Sequence, residues 1–139
     1  MAIHVRRGDY VSNVKSFDFH GICEVTYYKN AIEQLNAKLD NPTYFIFSDD
    51  VQWVRNNFNF ISNYTLVSDN AEQNNFEDFR LMRFCKHQII ANSTFSWWAA
   101  WLSDNPKSVI APSKWFGPNN ADKLTKDLFP EEWRMIDEN

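Results

Sequence analysis

Two adjacent arginines, a glycine and an aspartate stand together in His4-Val5-Arg6-Arg7-Gly8-Asp9-Tyr10. A guanidinium stays charged at any working pH, and its planar fork matches phosphate oxygens two at a time. Adjacent side chains at a strand end point to different sides. One arginine can therefore reach a ligand while the other braces against a carboxylate. Gly8 permits a sharp turn that brings backbone N–H groups toward an anion, and Asp9 can hold an arginine in place. The same spacing also suits a surface Arg–Asp pair at a tight turn.

A second candidate is Ile89-Ile90-Ala91-Asn92-Ser93-Thr94-Phe95-Ser96-Trp97-Trp98, a strand that runs through small hydroxyl residues into a helix. Open N–H groups and the positive end of the helix dipole favour an anion there, and the hydroxyls of Ser93, Thr94 and Ser96 add donors. Plain N-capping by Ser93 or Thr94 explains the same residues. Trp97 and Trp101 share one helical face and Trp98 the adjacent one, which suits sugar stacking or core packing. Asp49-Asp50 reads as a metal-bridging carboxylate pair or, preferably, as a helix cap with a dipole-favoured carboxylate. Asp78 could pair with the N1–H and 2-amino groups of a guanine, or be a solvated helix charge.

Other chemistry is excluded. The histidines His4, His20 and His87 and the cysteines Cys23 and Cys85 have no zinc spacing. Both cysteines read as buried free thiols. Neither GxGxxG nor GxxxxGK[ST] occurs, and no Ser-His-Asp set stands in a recognisable context. A net charge of −4 argues against a nucleic-acid partner. Asn63-Tyr64-Thr65 and Asn92-Ser93-Thr94 match the glycosylation sequon but are discounted, since nothing marks the chain as secreted. With no signal peptide or spanning stretch, the expected location is cytoplasmic.

The elements that must position these groups alternate. Strands are expected at Ile3–Arg6, Tyr44–Phe47, Tyr64–Val67, Gln88–Ala91 and Ser108–Ala111. Helices are expected at Glu24–Leu39, from a Ser48 or Asp49 cap through Phe58, at Glu77–Lys86 and at Thr94–Leu102. Val25, Tyr28, Ile32, Leu35 and Leu39 repeat at helical spacing; Phe79, Met82 and Phe84 or Cys85 should face inward. The charged tail from Ala121 reads as partly helical around Leu124 and Leu128. Strands that are apolar throughout and alternate with helices imply α/β architecture: a Rossmann-like open parallel sheet with helices on both faces. Such sheets bind ligands at the carboxyl ends of their strands. Arg6-Arg7-Gly8-Asp9, Ser48-Asp49-Asp50, Asn92-Ser93-Thr94 and Pro112-Ser113-Lys114 all fall on that rim. A length of 139 residues fits one domain. Aromatics reach 17 %, enough for a contact surface besides the core. Only Met1-Ala2 precede the first strand, so the chain is expected to be cut from something longer.

The opening heptapeptide resembles the first motif of the α-1,2-fucosyltransferases, the family 11 glycosyltransferases, and is related to that of the α-1,6- and protein O-fucosyltransferases. Asn75 to His87 followed by Ile89 to Leu102 resembles the same family's second signature, and Ala111-Pro112-Ser113-Lys114-Trp115-Phe116 its closing strand and loop. The likeness covers nearly the whole chain in the same order. It implies an inverting GT-B transferase that moves L-fucose from GDP-fucose to a galactose-containing glycan without a metal or other cofactor. It also implies that residues 1–139 are the donor-binding half of a longer, two-domain enzyme, peripheral to the membrane when full-length, with an amino-terminal domain completing the cleft. Carried over, Arg6 grips the β-phosphate and assists departure of GDP, with Arg7 and Asp9 in support. His4 and Asp78 approach the guanosine, and Ser93, Thr94, Phe95 and Ser96 the diphosphate. Asp9 is the candidate base within the chain. Two rival readings stand beside this one: a transferase of the same architecture that uses another GDP-sugar, and a noncatalytic carbohydrate-binding module using exposed tryptophans.

Overall fold

The computed structural model describes residues 1–68, 75–104, 106–120 and 125–137. Six strands form one sheet in the order β3-β2-β1-β4-β5-β6, every neighbouring pair parallel. They are β1 (Ala2–Val5), β2 (Tyr44–Ser48), β3 (Tyr64–Leu66), β4 (His87–Ile89), β5 (Ser108–Pro112) and β6 (Arg134–Ile136). The helices are α1 (Gly8–Ser12), α2 (Val14–His20), α3 (Val25–Asn36), α4 (Val51–Asn57), α5 (Asn75–Phe84) and α6 (Thr94–Trp101), with a 3₁₀ turn at Pro118–Asn120.

Side-chain alternation along the strands sorts the helices onto two faces. Ile3, Val5, Ile46 and Ile89 pack with Tyr28, Ile32 and Leu35 of α3 and Val54 of α4. Ala2 and Phe47 face the other way, onto Met82 of α5 and Ala99 of α6. The α/β sheet with helices on both faces is therefore as the sequence implied. The β1 crossovers change direction between β1 and β4, and at such a switch point the two outgoing loops diverge and leave a crevice. The loop after β1 carries Arg6 and Arg7; the loop after β4 carries Asn92 and Ser93.

Three elements differ from the sequence reading. The turn at Gly8-Asp9 is the start of α1, and a second short helix, α2, follows at once; neither shows a strong apolar period. The tail forms the edge strand β6, joined through Ser113 N–H to Ile136 O at 3.0 Å, whereas a helix was expected. Leu128 lies in a turn, and Leu124 is outside the described residues. Between Phe84 and Cys85, the cysteine is the one that packs inward; Phe84 is 67 % exposed.

Candidate active site

Arg6 leaves β1 at the switch point and is held from two sides. Its guanidinium lies 3.0 Å from Asp49 Oδ2 at the end of β2 and also pairs with Asp9 in α1. Asp49 does more than neutralise it: its other oxygen accepts the Arg7 N–H at 2.8 Å, fixing the backbone where β1 turns into α1. Gly8 leaves room for this carboxylate, since a Cβ there would sit 2.5 Å from Asp49 Oδ2. The glycine serves a close approach at the start of a helix, in place of the sharp turn the sequence suggested.

Arg7 is turned away from the crevice. Its Nε is 3.5 Å from Asp50 Oδ2, its guanidinium lies 4.1 Å from the Trp53 ring centroid, and its side chain is only 11 % exposed. This is the expected division of labour: one arginine to the rim, one braced. Asp50, and neither Ser48 nor Asp49, caps α4 by accepting the Trp53 N–H at 3.0 Å. The Asp49-Asp50 pair is thus divided between an arginine brace and a helix cap. Two guanidiniums face three carboxylates here, so the cluster is no positive patch. Arg6–Asp9, an i,i+3 pair whose aspartate is 55 % exposed, is of the kind that contributes only about 0.2–1 kcal/mol. It can be exchanged for a stronger anion, while Arg6–Asp49 keeps the guanidinium aimed.

Across the crevice, α6 opens with Ser93 at its cap position, and no side chain caps it. The Trp97 N–H takes the Ser93 carbonyl at 3.0 Å, leaving the amides of Thr94, Phe95 and Ser96 as the open end of the helix. Ser96 is fully buried, and its hydroxyl faces Ala91 O at 3.4 Å and Ser93 O at 3.3 Å. Its hydroxyl is thus directed inward. Thr94 is exposed, and Ser93 is buried with its side chain unused as a cap.

His4 is 5 % exposed, with its ring 5.4 Å from Phe95, which in turn meets Phe79 edge-on at 5.6 Å. Its Nδ1 has no hydrogen-bond partner among the described residues. Burial, and then the nearby Arg6, push its pKa down to about 3, so the imidazole is neutral and is an unfilled polar group on the α5–α6 side. Asp78, in the first turn of α5, accepts the Ser68 hydroxyl at 2.5 Å, and Ser68 Oγ accepts the Ser48 N–H at 3.1 Å. Among the described residues the carboxylate is anchored by one oxygen only. The neighbouring Glu77 is committed to Arg80 at 2.7 Å. Of the residues singled out from the sequence, Arg6 and Asp9 stand just past the end of β1, His4, Asp78 and Phe95 on the α5–α6 side, and Ser93 to Ser96 at the start of α6 after β4, while Arg7 is packed against Asp50 and Trp53.

A neighbouring cavity was not foreseen. A cavity of about 520 Å³ opens between the α2–α3 turn, Asn92 and the loop after β5, with Phe17, His20, Lys114, Trp115 and Phe116 in its wall. Asn92, read from sequence only as a rim residue in a discounted sequon, is 3 % exposed and holds it together. Its amide donates to His20 O at 2.7 Å and to Gly21 O and Trp115 O at 3.4 Å, and its oxygen accepts Cys23 Sγ at 3.5 Å. Gly21 (φ +66°) and Gly117 press backbone to backbone, and a Cβ on Gly117 would meet Asp18 O at 2.5 Å. Gly117 N–H closes the joint on Phe19 O at 2.9 Å.

The exposed tryptophans are elsewhere. Trp97 stacks on Trp101 at 5.2 Å and donates its indole N–H to Leu128 O, while Trp98 and Trp101 are 49 % and 53 % exposed. Trp101 ends α6, at the opposite end of the sheet from the crevice. No described helix is long and apolar enough to cross a membrane, and among the described residues no group of three or more His, Cys, Asp or Glu could hold a metal ion.

Comparison with known proteins bears on this geometry. The chain is 42 % identical over 127 residues to the O-antigen biosynthesis glycosyltransferase WbnK of Escherichia coli, covering 91 % of this chain and 42 % of that protein. It is 40 % identical over 139 residues to an alpha-1,2-colitosyltransferase of Escherichia coli, covering 99 % and 47 %. Against galactoside 2-alpha-L-fucosyltransferase SEC1 of Bos taurus it is 32 % identical over 112 residues, 80 % of this chain and 30 % of that one. The chain thus spans less than half the length of these curated relatives. No solved structure matches it. The family model for glycosyl transferase family 11 runs over residues 1–137, leaving almost nothing outside it, and the chain belongs to that family.

Proposed function

We propose that the chain is the donor-binding half of an inverting GT-B fucosyltransferase that takes GDP-fucose and forms an α-1,2 linkage to a galactoside. One observation carries the reading. Arg6 stands at the switch point, aimed by Asp49 and lightly tied to an exposed Asp9, across a crevice from the open amides of α6. A diphosphate displaces Asp9, takes the guanidinium fork on one side and the Thr94, Phe95 and Ser96 N–H groups on the other. Charge that builds on the departing GDP meets donors already in position, so the barrier falls without reorganisation and no metal is required. His4 and Asp78 face the guanosine from the α5–α6 side; the free oxygen of Asp78 suits the guanine N–H edge. The preceding domain completes the acceptor cleft in a cytoplasmic enzyme peripheral to the membrane.

Calorimetry on the chain tests this. GDP and GDP-fucose should both bind, with equal affinity in EDTA and in magnesium. Binding of free glycans with no binding of GDP overturns the reading in favour of a noncatalytic carbohydrate module. A second donor is favoured by the relative named as a colitosyltransferase, 40 % identical over 139 residues: the same guanosine and phosphate contacts would then carry another sugar. Competition between GDP-fucose and other GDP-sugars separates the two.

A further inference from the structure

We propose that the cavity lined by His20 receives the acceptor sugar and that His20 accepts the proton of the attacking hydroxyl. The inference rests on the donor reading above. It starts from the Tyr10 ring, which touches both partners: the Arg6 guanidinium lies 5.1 Å from its centroid, and the His20 ring stacks on it at 4.3 Å, 3° from parallel. Phe19 meets the same imidazole edge-on at 4.8 Å, and Asn92 holds the His20 carbonyl at 2.7 Å. The ring is therefore fixed in plane and position, one aromatic layer from the phosphate grip. Neither of its nitrogens has a hydrogen-bond partner among the described residues.

The cavity that His20 lines suits a pyranose. Its volume of about 520 Å³ lies within the range of small-molecule sites. Phe17, 41 % exposed, and Trp115 offer apolar surface, while Lys114 and Ser113 offer polar groups for hydroxyls. The Asn92 and glycine joints give the pocket a defined shape before anything binds. The step balances. The bond from the sugar C1 to the diphosphate oxygen breaks with its electron pair passing to that oxygen beside Arg6. The acceptor oxygen forms the new bond to C1, and its proton passes to an imidazole nitrogen of His20. A base must be neutral to act. Burial, with Arg6 in the same direction and Asp9 against it, lowers the His20 pKa from its ordinary 6.5. The charged and titratable groups around it are Arg6 just after β1 and Asp9 and Tyr10 from α1, with Glu24 at the start of α3 and Lys114 after β5 lining the same cavity.

The test uses the chain saturated with GDP, titrated with methyl β-galactoside while the His20 nitrogens are followed by ¹⁵N NMR. Binding should move them, and affinity should fall as pH drops through the lowered pKa of His20. His20→Phe, which retains the ring stack, should bind the galactoside about tenfold more weakly, one hydrogen bond's worth, with GDP affinity unchanged. His20→Gln, which retains an acceptor oxygen, should restore affinity and abolish its pH dependence. Several results would overturn the proposal: no galactoside binding up to about 100 mM, binding that leaves the His20 nitrogens unmoved, or a pH dependence unchanged in His20→Gln. Exclusion of the galactoside by GDP-fucose but not by GDP would give the cavity to the donor's sugar and overturn the acceptor assignment. If GDP itself fails to bind, the donor reading has failed first.

Discussion

The two walls of the crevice differ in what each would offer an anion. The β1 side offers formal charge on side chains, and every charge there is already compensated: Arg6 by Asp9 and Asp49, Arg7 by Asp50. The α6 side offers no charge, only amides that the helix geometry leaves open, with the Ser96 hydroxyl turned inward. The first wall can change partners; the second is preset and cannot. A leaving group needs both: a charge that strengthens as negative charge develops, and fixed donors that define where it develops.

The largest expected effect is on the first wall. Arg6→Ala should weaken GDP binding about 30- to 100-fold, roughly 2–3 kcal/mol for a charge-assisted pair, by calorimetry. Arg7→Ala should change it less than threefold and lower thermal stability instead, because Arg7 is occupied by Asp50 and Trp53. Equal losses from the two would erase the distinction between gripping and bracing arginines.

Next in size is the pH dependence of folding. His4 has a folded pKa near 3 against an ordinary 6.5, so the unfolded chain binds the extra proton. Its contribution to stability is complete above pH 6.5 and is lost as pH falls from 6.5 toward 3, by at most about 1.4 kcal/mol per pH unit. Denaturant midpoints measured across that window should flatten in His4→Gln. An unchanged slope would show that the imidazole is not the buried neutral group described above.

Ser96→Ala tests the second wall. Loss of the inward hydroxyl should cost about 1 kcal/mol of stability and leave GDP affinity within twofold, since the amide remains. A tenfold loss of GDP affinity would mean that the hydroxyl rotates outward to the ligand.

Smallest is Gly8→Ala. Alanine would normally favour a helical position by about 0.5–1 kcal/mol, but here the methyl meets Asp49 Oδ2 at 2.5 Å. A net loss below about 1 kcal/mol is expected, and it should become a gain in the Asp49→Ala background. A double-mutant cycle on melting temperatures reads the sign.

Five of the six strands, the helices α3 to α6 and the rim were legible because each apolar strand and each helical repeat signals itself locally. The arginine motif was legible for the same reason: its members are adjacent. Asp49, Asn92 and His20 were not. Asp49 reaches back 42 residues to the Arg7 amide, and Asn92 reaches across 72 residues to His20 O. Their roles exist only once the crossovers are in place. α1 and α2 were hidden because their apolar residues Val11, Val14, Phe17 and Phe19 are exposed, so no apolar stripe marks them. β6 is three residues long, with only Ile136 buried, too little for a period to register.

The backbone joint of Gly21 against Gly117 has a consequence for how the cavity can change. A wall made where two main chains touch admits no larger residue at either point, so the mould itself is not open to substitution. Drift or design toward a different sugar must work through replaceable inserts, the side chains of Phe17, Lys114, Phe116 and Thr125. Selection for a new acceptor should therefore accumulate exchanges at those four positions and leave both glycines untouched.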